Sequence, residues 1–307
     1  MASNFAEDAE LSQIINKLWE LDDNKCFPDV DYEIDLQGSV YSTRDVSEDH
    51  AKNSLFKWVN EDKVFSRPTY KAFRALLDNY EMELGQEEVV TREELKENQD
   101  FLNAILATKV MKEAHKYLVS KRVAPEDKQQ FKAMLNDIWF KMFRRQASRG
   151  ADSCSFEHVF VGEGRDTEMI GLHNWIQFYL QEKAGNINYN GHFRKETVKD
   201  DSVIRLLAVQ FTWKGIKAKP FCSVFIGSSP EFEVAAYTIC LLLDRDGKAD
   251  IKIGEYEVEL TVHSFGRQRK LGTAYIAAAR METYAKKRNW LTFSAMKILS
   301  NAMVPKA

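Results

Sequence analysis

Leu11, Ile14, Ile15, Leu18 and Trp19 recur at the i, i+3, i+4, i+7 spacing of an amphipathic helix, and helical spacing dominates the first half of the chain. Asp29 to Asp49 has no such period and is acidic, so it reads as a long loop. Phe56 to Tyr80 predicts one helix or two, broken at Pro68. Thr91 and Glu94 have the spacing of a capping box and start the next helix, and a further helical run follows through Lys121. Pro125 opens one more helix, whose buried stripe is Phe131, Met134, Leu135, Ile138, Trp139 and Met142. His115 lies inside the preceding run and reads as structural.

After Gly150 the pattern changes to strands interspersed with helices. Strands are expected over 203–213, 220–227, 249–253, 256–265 and 273–278. Ser229 before Pro230 predicts a helix start feeding Phe232 to Leu243, with serine as cap and proline at the first helical position. Gly254 and Glu255 predict a hairpin between the third and fourth strands. The expected fold class is α+β, with a helical N-terminal region over 1–148 packed on a region of antiparallel sheets with flanking helices over 149–307.

Composition narrows the class without changing that picture. Of 307 residues 44% are hydrophobic and 29% charged, with only 14 Gly and 6 Pro, which fits a fully folded chain. The first residues carry neither a basic segment nor an apolar one, so no signal peptide is read there. No apolar run approaches the ~20 residues needed to span a bilayer. Cys26, Cys154, Cys222 and Cys240 are scattered, as reduced buried thiols would be. These features predict an intracellular protein. The net charge of −3 divides into −6 over residues 1–150 and +3 over 151–307, so a polyanion would meet the second half. Lys214, Lys217 and Lys219, and Arg267, Arg269 and Lys270, are basic groups there, although such groups are more often solvated surface.

Candidate chemistry centres on Phe156 to Trp175, which holds two of the six histidines, fifteen residues apart. Phe156, Val159, Phe160 and Val161 read as a buried strand, Glu163 to Glu168 as a loop, and Leu172 to Leu180 as a helix with His173 in its first turn. A helix N-terminus disfavours added positive charge, so His173 is expected to be neutral and suited to a general base. Glu157 and Glu163 near His158 favour its protonated form, suited to a general acid. The same residues also read as two ordinary histidines. Cys154 with His158 is half of a metal site that lacks its other half. Lys219 and Ser223, four apart around Pro220, are expected on one strand face, as are Thr273 and Tyr275. A cation, hydroxyls and an aromatic plate suit a pyrimidine nucleotide. Read singly, they are a surface lysine, a buried threonine and a core tyrosine.

Taken together and in order, Glu157-His158, Glu163, Gly171-Leu172-His173-Asn174-Trp175, Lys219 with Ser223, Ser229-Pro230-Glu231-Phe232-Glu233 and Gly272-Thr273-Ala274-Tyr275 resemble the EndoU family. These are uridylate-preferring endoribonucleases of animals, related to the coronavirus uridylate-specific endoribonuclease. The resemblance implies an EndoU-like catalytic region with His158, His173 and Lys219 as catalytic residues and Ser223, Thr273 and Tyr275 at the uridine, the tyrosine stacking on the nucleotide. It implies activation by Mn2+ or Ca2+, with Glu157 and Glu163 as the acidic positions concerned. The expected reaction is cleavage of uridine-rich single-stranded RNA through the 2′-OH, leaving a 2′,3′-cyclic phosphate, by a monomer in the cytoplasm or nucleus. Two alternatives stand beside it. One is a metal-dependent phosphodiesterase that uses the histidines as ligands, the other an RNA-binding protein without catalysis.

Overall fold

The computed structural model describes residues 5–145, 150–193, 205–245, 247–254, 256–265 and 270–278. The boundary expected near residue 148 lies outside them, as do Arg267, Arg269, residues 203 and 204, and Glu255. One hydrophobic core runs from the first helix to the last strand described and joins the two regions.

The N-terminal elements follow from their caps. Helix α1, Ala9–Leu21, starts where the Asp8 carboxylate accepts from Leu11 N, and it buries Leu11, Ile14, Ile15, Leu18 and Trp19. Short strands β1, Tyr32–Ile34, and β2, Phe56–Val59, pair antiparallel. Phe56 therefore opens a strand where a helix was expected. The buried Glu182 carboxylate accepts from Leu55 N and Phe56 N, holding that backbone extended. Helix α2 spans Glu61–Val64, and α3, Pro68–Ala75, has Pro68 at its first position, where the missing N–H costs nothing. The Thr91/Glu94 capping box starts α4, Arg92–Leu106. Thr108 then caps α5, Lys109–Ser120, which is the further helical run expected through Lys121. Helix α6, Lys128–Trp139, begins later than expected, because Asp127 rather than Pro125 supplies the cap. His115 is structural, with Nε2 2.7 Å from Pro125 O and its ring stacked on Phe131 at 4.1 Å.

The remaining elements are β3, Glu163–Arg165; β4, Glu168–Ile170; α7, Trp175–Lys183; β5, Ile187–His192; β6, Arg205–Trp213; β7, Lys217–Ile226; α8, Pro230–Leu242; β8, Gly247–Ile253; β9, Tyr256–Phe265; and β10, Lys270–Ala278. A five-stranded sheet has the order β3-β4-β7-β6-β5 and a three-stranded sheet the order β10-β9-β8. All pairings in them are antiparallel except β4 with β7. The fold is α+β. All 13 residues of α8 are buried, and it packs against α1, α3 and α5 as well as β9 and β10. Strand β10 packs against β6 and β7, which brings the two sheets together at the histidines.

Candidate active site

The segment bearing His158 is a π-helical turn, Glu157–Val161, rather than the expected strand. Its apolar residues are buried on all sides, and an apolar run without periodicity does not distinguish a buried strand from a buried helical turn. Phe156 and Phe160 lock it to the N-terminal helices through Phe73, Phe101 and Trp139, the last stacked on Phe160 at 5.3 Å. The turn closes with Gly162 N donating to Glu157 O at 2.8 Å. Glu163 to Glu168, read as a loop, holds β3 and the turn into β4, and the two strands pair antiparallel.

His173 is fixed against that turn by the backbone. Leu172 N donates to His158 O at 3.1 Å and His173 N to Val159 O at 2.8 Å. This contact needs a glycine at position 171, where φ is +67° and an added Cβ would lie 1.8 Å from His158 O. Helix α7 starts later than expected. Asn174 is its cap, accepting from Ile176 N and Gln177 N, so His173 precedes the helix instead of lying in its first turn.

Both imidazoles are almost wholly buried, at 7% and 8% exposure, and in each Nδ1 is engaged. His158 Nδ1 lies 2.6 Å from Glu163 Oε2 and His173 Nδ1 3.1 Å from Ser223 O. A carbonyl oxygen only accepts, so neutral His173 carries its proton on Nδ1 and leaves Nε2 with a free lone pair. Burial first, then the nearby Lys219 ammonium, push the His173 pKa well below the usual histidine value. The direction agrees with expectation, but its cause is not a helix terminus. For His158 the expected upward shift is reversed. Burial lowers its pKa and outweighs the Glu163 hydrogen bond and charge, which raise it.

The two glutamates play different parts. Glu163 is fully buried, bonded to Ser153 through Oε1, and its Oε2 meets both His158 Nδ1 and, at 3.3 Å, Arg145 Nε. Glu157 accepts only from Cys154 N at 3.3 Å, and its Oε1 has no partner among the described residues. Burial and the adjacent Glu163 charge push it up to about 10, so it is neutral. A divalent cation does not fit this pair as arranged. One carboxyl is protonated, and the other is already occupied by a hydroxyl, an imidazole and a guanidinium. No group of three or more His, Cys, Asp or Glu side chains suited to a metal occurs among the described residues. The Cys154 thiol is buried, and burial pushes its pKa up, so it does not complete a site with His158.

Lys219 is buried, its charge disfavoured by desolvation, and it acts on both histidines. It does not share a face with Ser223. Phe211 pairs with Lys219 and Val209 with Cys222, so Gln210 faces two residues, Pro220 and Phe221, and β7 bulges there. The extra residue inverts the alternation. Lys219 lies with Cys222, whereas Ser223, opposite Ala208, lies with Phe221. Ser223 contributes its carbonyl to His173, and its buried hydroxyl has no partner among the described residues.

Thr273 and Tyr275 do share a face, pairing with His263 and Thr261 on β9. The Tyr275 ring stacks on His173 with centroids 4.6 Å apart, so one of its faces is already covered by the imidazole. Arg145, which the sequence did not single out, ties the two sides together. It reaches Glu163, Ser153 Oγ at 2.9 Å and Gly272 O at 3.0 Å, the last beside Thr273. Its only sequence signal is membership of a basic run at 144–149.

A family model described as Endoribonuclease XendoU matches residues 10–276. Poly(U)-specific endoribonuclease-A of Xenopus laevis is 47% identical over 283 residues, covering 90% of this chain and 96% of the relative. Uridylate-specific endoribonuclease B of Danio rerio is 45% identical over 273 residues, covering 87% and 95%. The human uridylate-specific endoribonuclease is 37% identical over 278 residues, which cover 88% of this chain and 66% of that one. Among solved structures, XendoU, described as a splicing independent snoRNA processing endoribonuclease, superposes with a TM-score of 0.78 at 45% identity, covering 90% of this chain and 99% of that one. With sequence and fold in agreement over nine-tenths of the chain, the protein belongs to the XendoU endoribonuclease family.

Proposed function

We propose that the protein cleaves single-stranded RNA after uridines by transesterification. The observation that carries this reading is the pair of buried imidazoles, each with Nδ1 engaged, beside one buried lysine. In the proposed step His173 Nε2 takes the 2′-OH proton, and the 2′ oxygen forms a bond to the adjacent phosphorus. The bond from phosphorus to the 5′ oxygen breaks, and that oxygen takes a proton from His158 Nε2. Glu163 supports the acid role for His158, since it is the imidazole whose charged form has a carboxylate partner. Lys219 offsets negative charge developing on the phosphoryl oxygens. The products are a 2′,3′-cyclic phosphate and a 5′-hydroxyl. We assign uracil recognition to Thr273 rather than Ser223, because Thr273 shares the Tyr275 face while the Ser223 side chain lies opposite Lys219.

The names of the relatives support the poly(U) and uridylate preference, and the lone pair left on His173 supports the 2′-OH route. The test is product analysis on a short RNA containing one uridine, with and without Mn2+ or Ca2+. A cyclic phosphate next to the uridine, with no cleavage of the matching DNA, is expected. A linear phosphate and DNA cleavage would replace this reading with metal-dependent hydrolysis.

A further inference from the structure

We propose that the start of β10 holds the RNA backbone flanking the cleaved uridine, with Lys270 and Lys141 as its phosphate contacts; this rests on the reading of Thr273 and Tyr275 as the uridine subsite. The first observation is register. Lys270 pairs with Phe265, Thr273 with His263 and Tyr275 with Thr261, while Gly272 is an extra residue without a place in that sequence of pairs. In a regular strand Lys270 and Thr273, three apart, would face opposite ways. The bulge at Gly272 puts Lys270, Thr273 and Tyr275 on one face instead. Their partners Phe265 and His263 are two residues apart, so at about 3.3 Å per residue Lys270 stands roughly 7 Å along the strand from Thr273, the scale of a neighbouring nucleotide.

The second observation is how the cations are held. Phe143 and Phe265 stack with centroids 4.8 Å apart. The Lys270 ammonium sits 4.9 Å from the Phe143 centroid and donates to Met142 O at 3.4 Å, while Arg145 lies over both rings. Aromatic faces hold a cation in place without cancelling its charge. Lys141 is exposed and close enough to repel Lys270, and Asp137 is the carboxylate that acts on Lys270 from α6. Neither lysine forms an ion pair with a carboxylate among the described residues. Arg145 Nη2 is likewise buried without a partner among the described residues. Two neighbouring lysines without an ion-paired carboxylate among the described residues, one of them on the strand face that carries Thr273 and Tyr275, fit a polyanion running past it.

The test measures binding of a ten-nucleotide RNA whose single uridine is 2′-deoxy, so that it binds without being cut. Affinity is followed against salt for the parent, Lys270→Gln, Lys141→Gln and Lys270→Arg. Removing one lysine–phosphate interaction should reduce the slope of log K against log salt by about 0.7, and Lys270→Arg should keep the parent slope. Cleavage of a uridine dinucleotide with one phosphodiester should be unchanged in all variants, because it has no flanking phosphate. Unchanged slopes in both glutamine variants would overturn the proposal, as would an equal loss on the dinucleotide. A protein whose glutamine variants show the slope change, but whose parent makes no cyclic phosphate, would instead refute the cleavage reading and leave this surface standing as an RNA contact.

Discussion

Two groups of fully buried carboxyls lie on either side of the histidines, and burial treats them alike while their partners do not. Glu163 faces a guanidinium, a hydroxyl and an imidazole, so a charged form there is matched by nearby positive charge. At the N-terminus of α8, Glu233 meets only Ser228 Oγ and, at 3.3 Å, Asn174 Nδ2, and burial pushes it up to about 8. Its neighbour Glu231 bonds Asn24 and is also raised by burial, while Asp22 is raised by burial and by the Glu231 charge. The first group is electrostatic and acts on His158. The second is a hydrogen-bonded clamp, and through Asn174 and the bond from Trp175 Nε1 to Ser228 O at 2.8 Å it fixes the segment that carries His173. What separates them is the identity of the partner, since both carboxyls are entirely buried.

The difference gives a graded set of expectations. Removing either imidazole, as His158→Ala or His173→Ala, should cost on the order of 10²–10⁴-fold in kcat, with the circular dichroism spectrum retained. Near-parental turnover in either variant would end the pairing. Glu163→Gln comes next. It leaves the largely buried Arg145 without its partner charge and should destabilise the protein by about 3–5 kcal/mol in urea unfolding. It also removes the group that raises the His158 pKa, so the alkaline limb of kcat/KM should move to lower pH. A stable variant with an unmoved limb would separate Glu163 from the acid.

Glu233→Gln should behave in the opposite manner, because an amide resembles the protonated carboxyl. The sign follows from the shift. In the unfolded chain this group releases its proton near 4.5, while the fold retains it to about 8. Between those values stability falls as pH rises, by up to about 1.4 kcal/mol per pH unit, and the amide should flatten that fall. Urea midpoints at acidic and mildly alkaline pH measure it, and an undiminished slope in the variant would mean that Glu233 is ionised in the fold. The smallest effect is expected of Glu157→Gln. A carboxyl that is already neutral and does not touch His158 should leave the Mn2+ or Ca2+ half-saturation unaltered, whereas a shifted metal titration would restore it as a ligand.

Where one face of an element meets water, the sequence made it legible. The apolar stripe of α1 and the Thr91/Glu94 box of α4 are examples. Where every face is buried, periodicity vanishes, and the turn at Glu157–Val161 reads as a strand for that reason. The Lys219/Ser223 pairing fails differently. A single extra residue at Pro220 and Phe221 inverts the alternation, and the one signal for it is Pro220 itself, since proline within a sheet is confined to edges and bulges. Burial also reverses the expected shift of His158, because adjacent carboxylates are visible in a sequence and desolvation is not. Arg145 shows the same limit. Its contacts to Glu163, Ser153 and Gly272 reach as far as 127 residues along the chain and exist only once the fold is assembled.

The assignment of acid to His158 and base to His173 is tested most directly by changing the leaving group. In an RNA whose single scissile 5′ oxygen is replaced by sulfur, the departing thiolate needs no proton, so general-acid catalysis is no longer required. His158→Ala should then regain most of its lost rate, while His173→Ala should remain as impaired as on the oxygen substrate. Rescue of His173→Ala instead, or equal impairment of both variants on the sulfur substrate, would contradict the assignment.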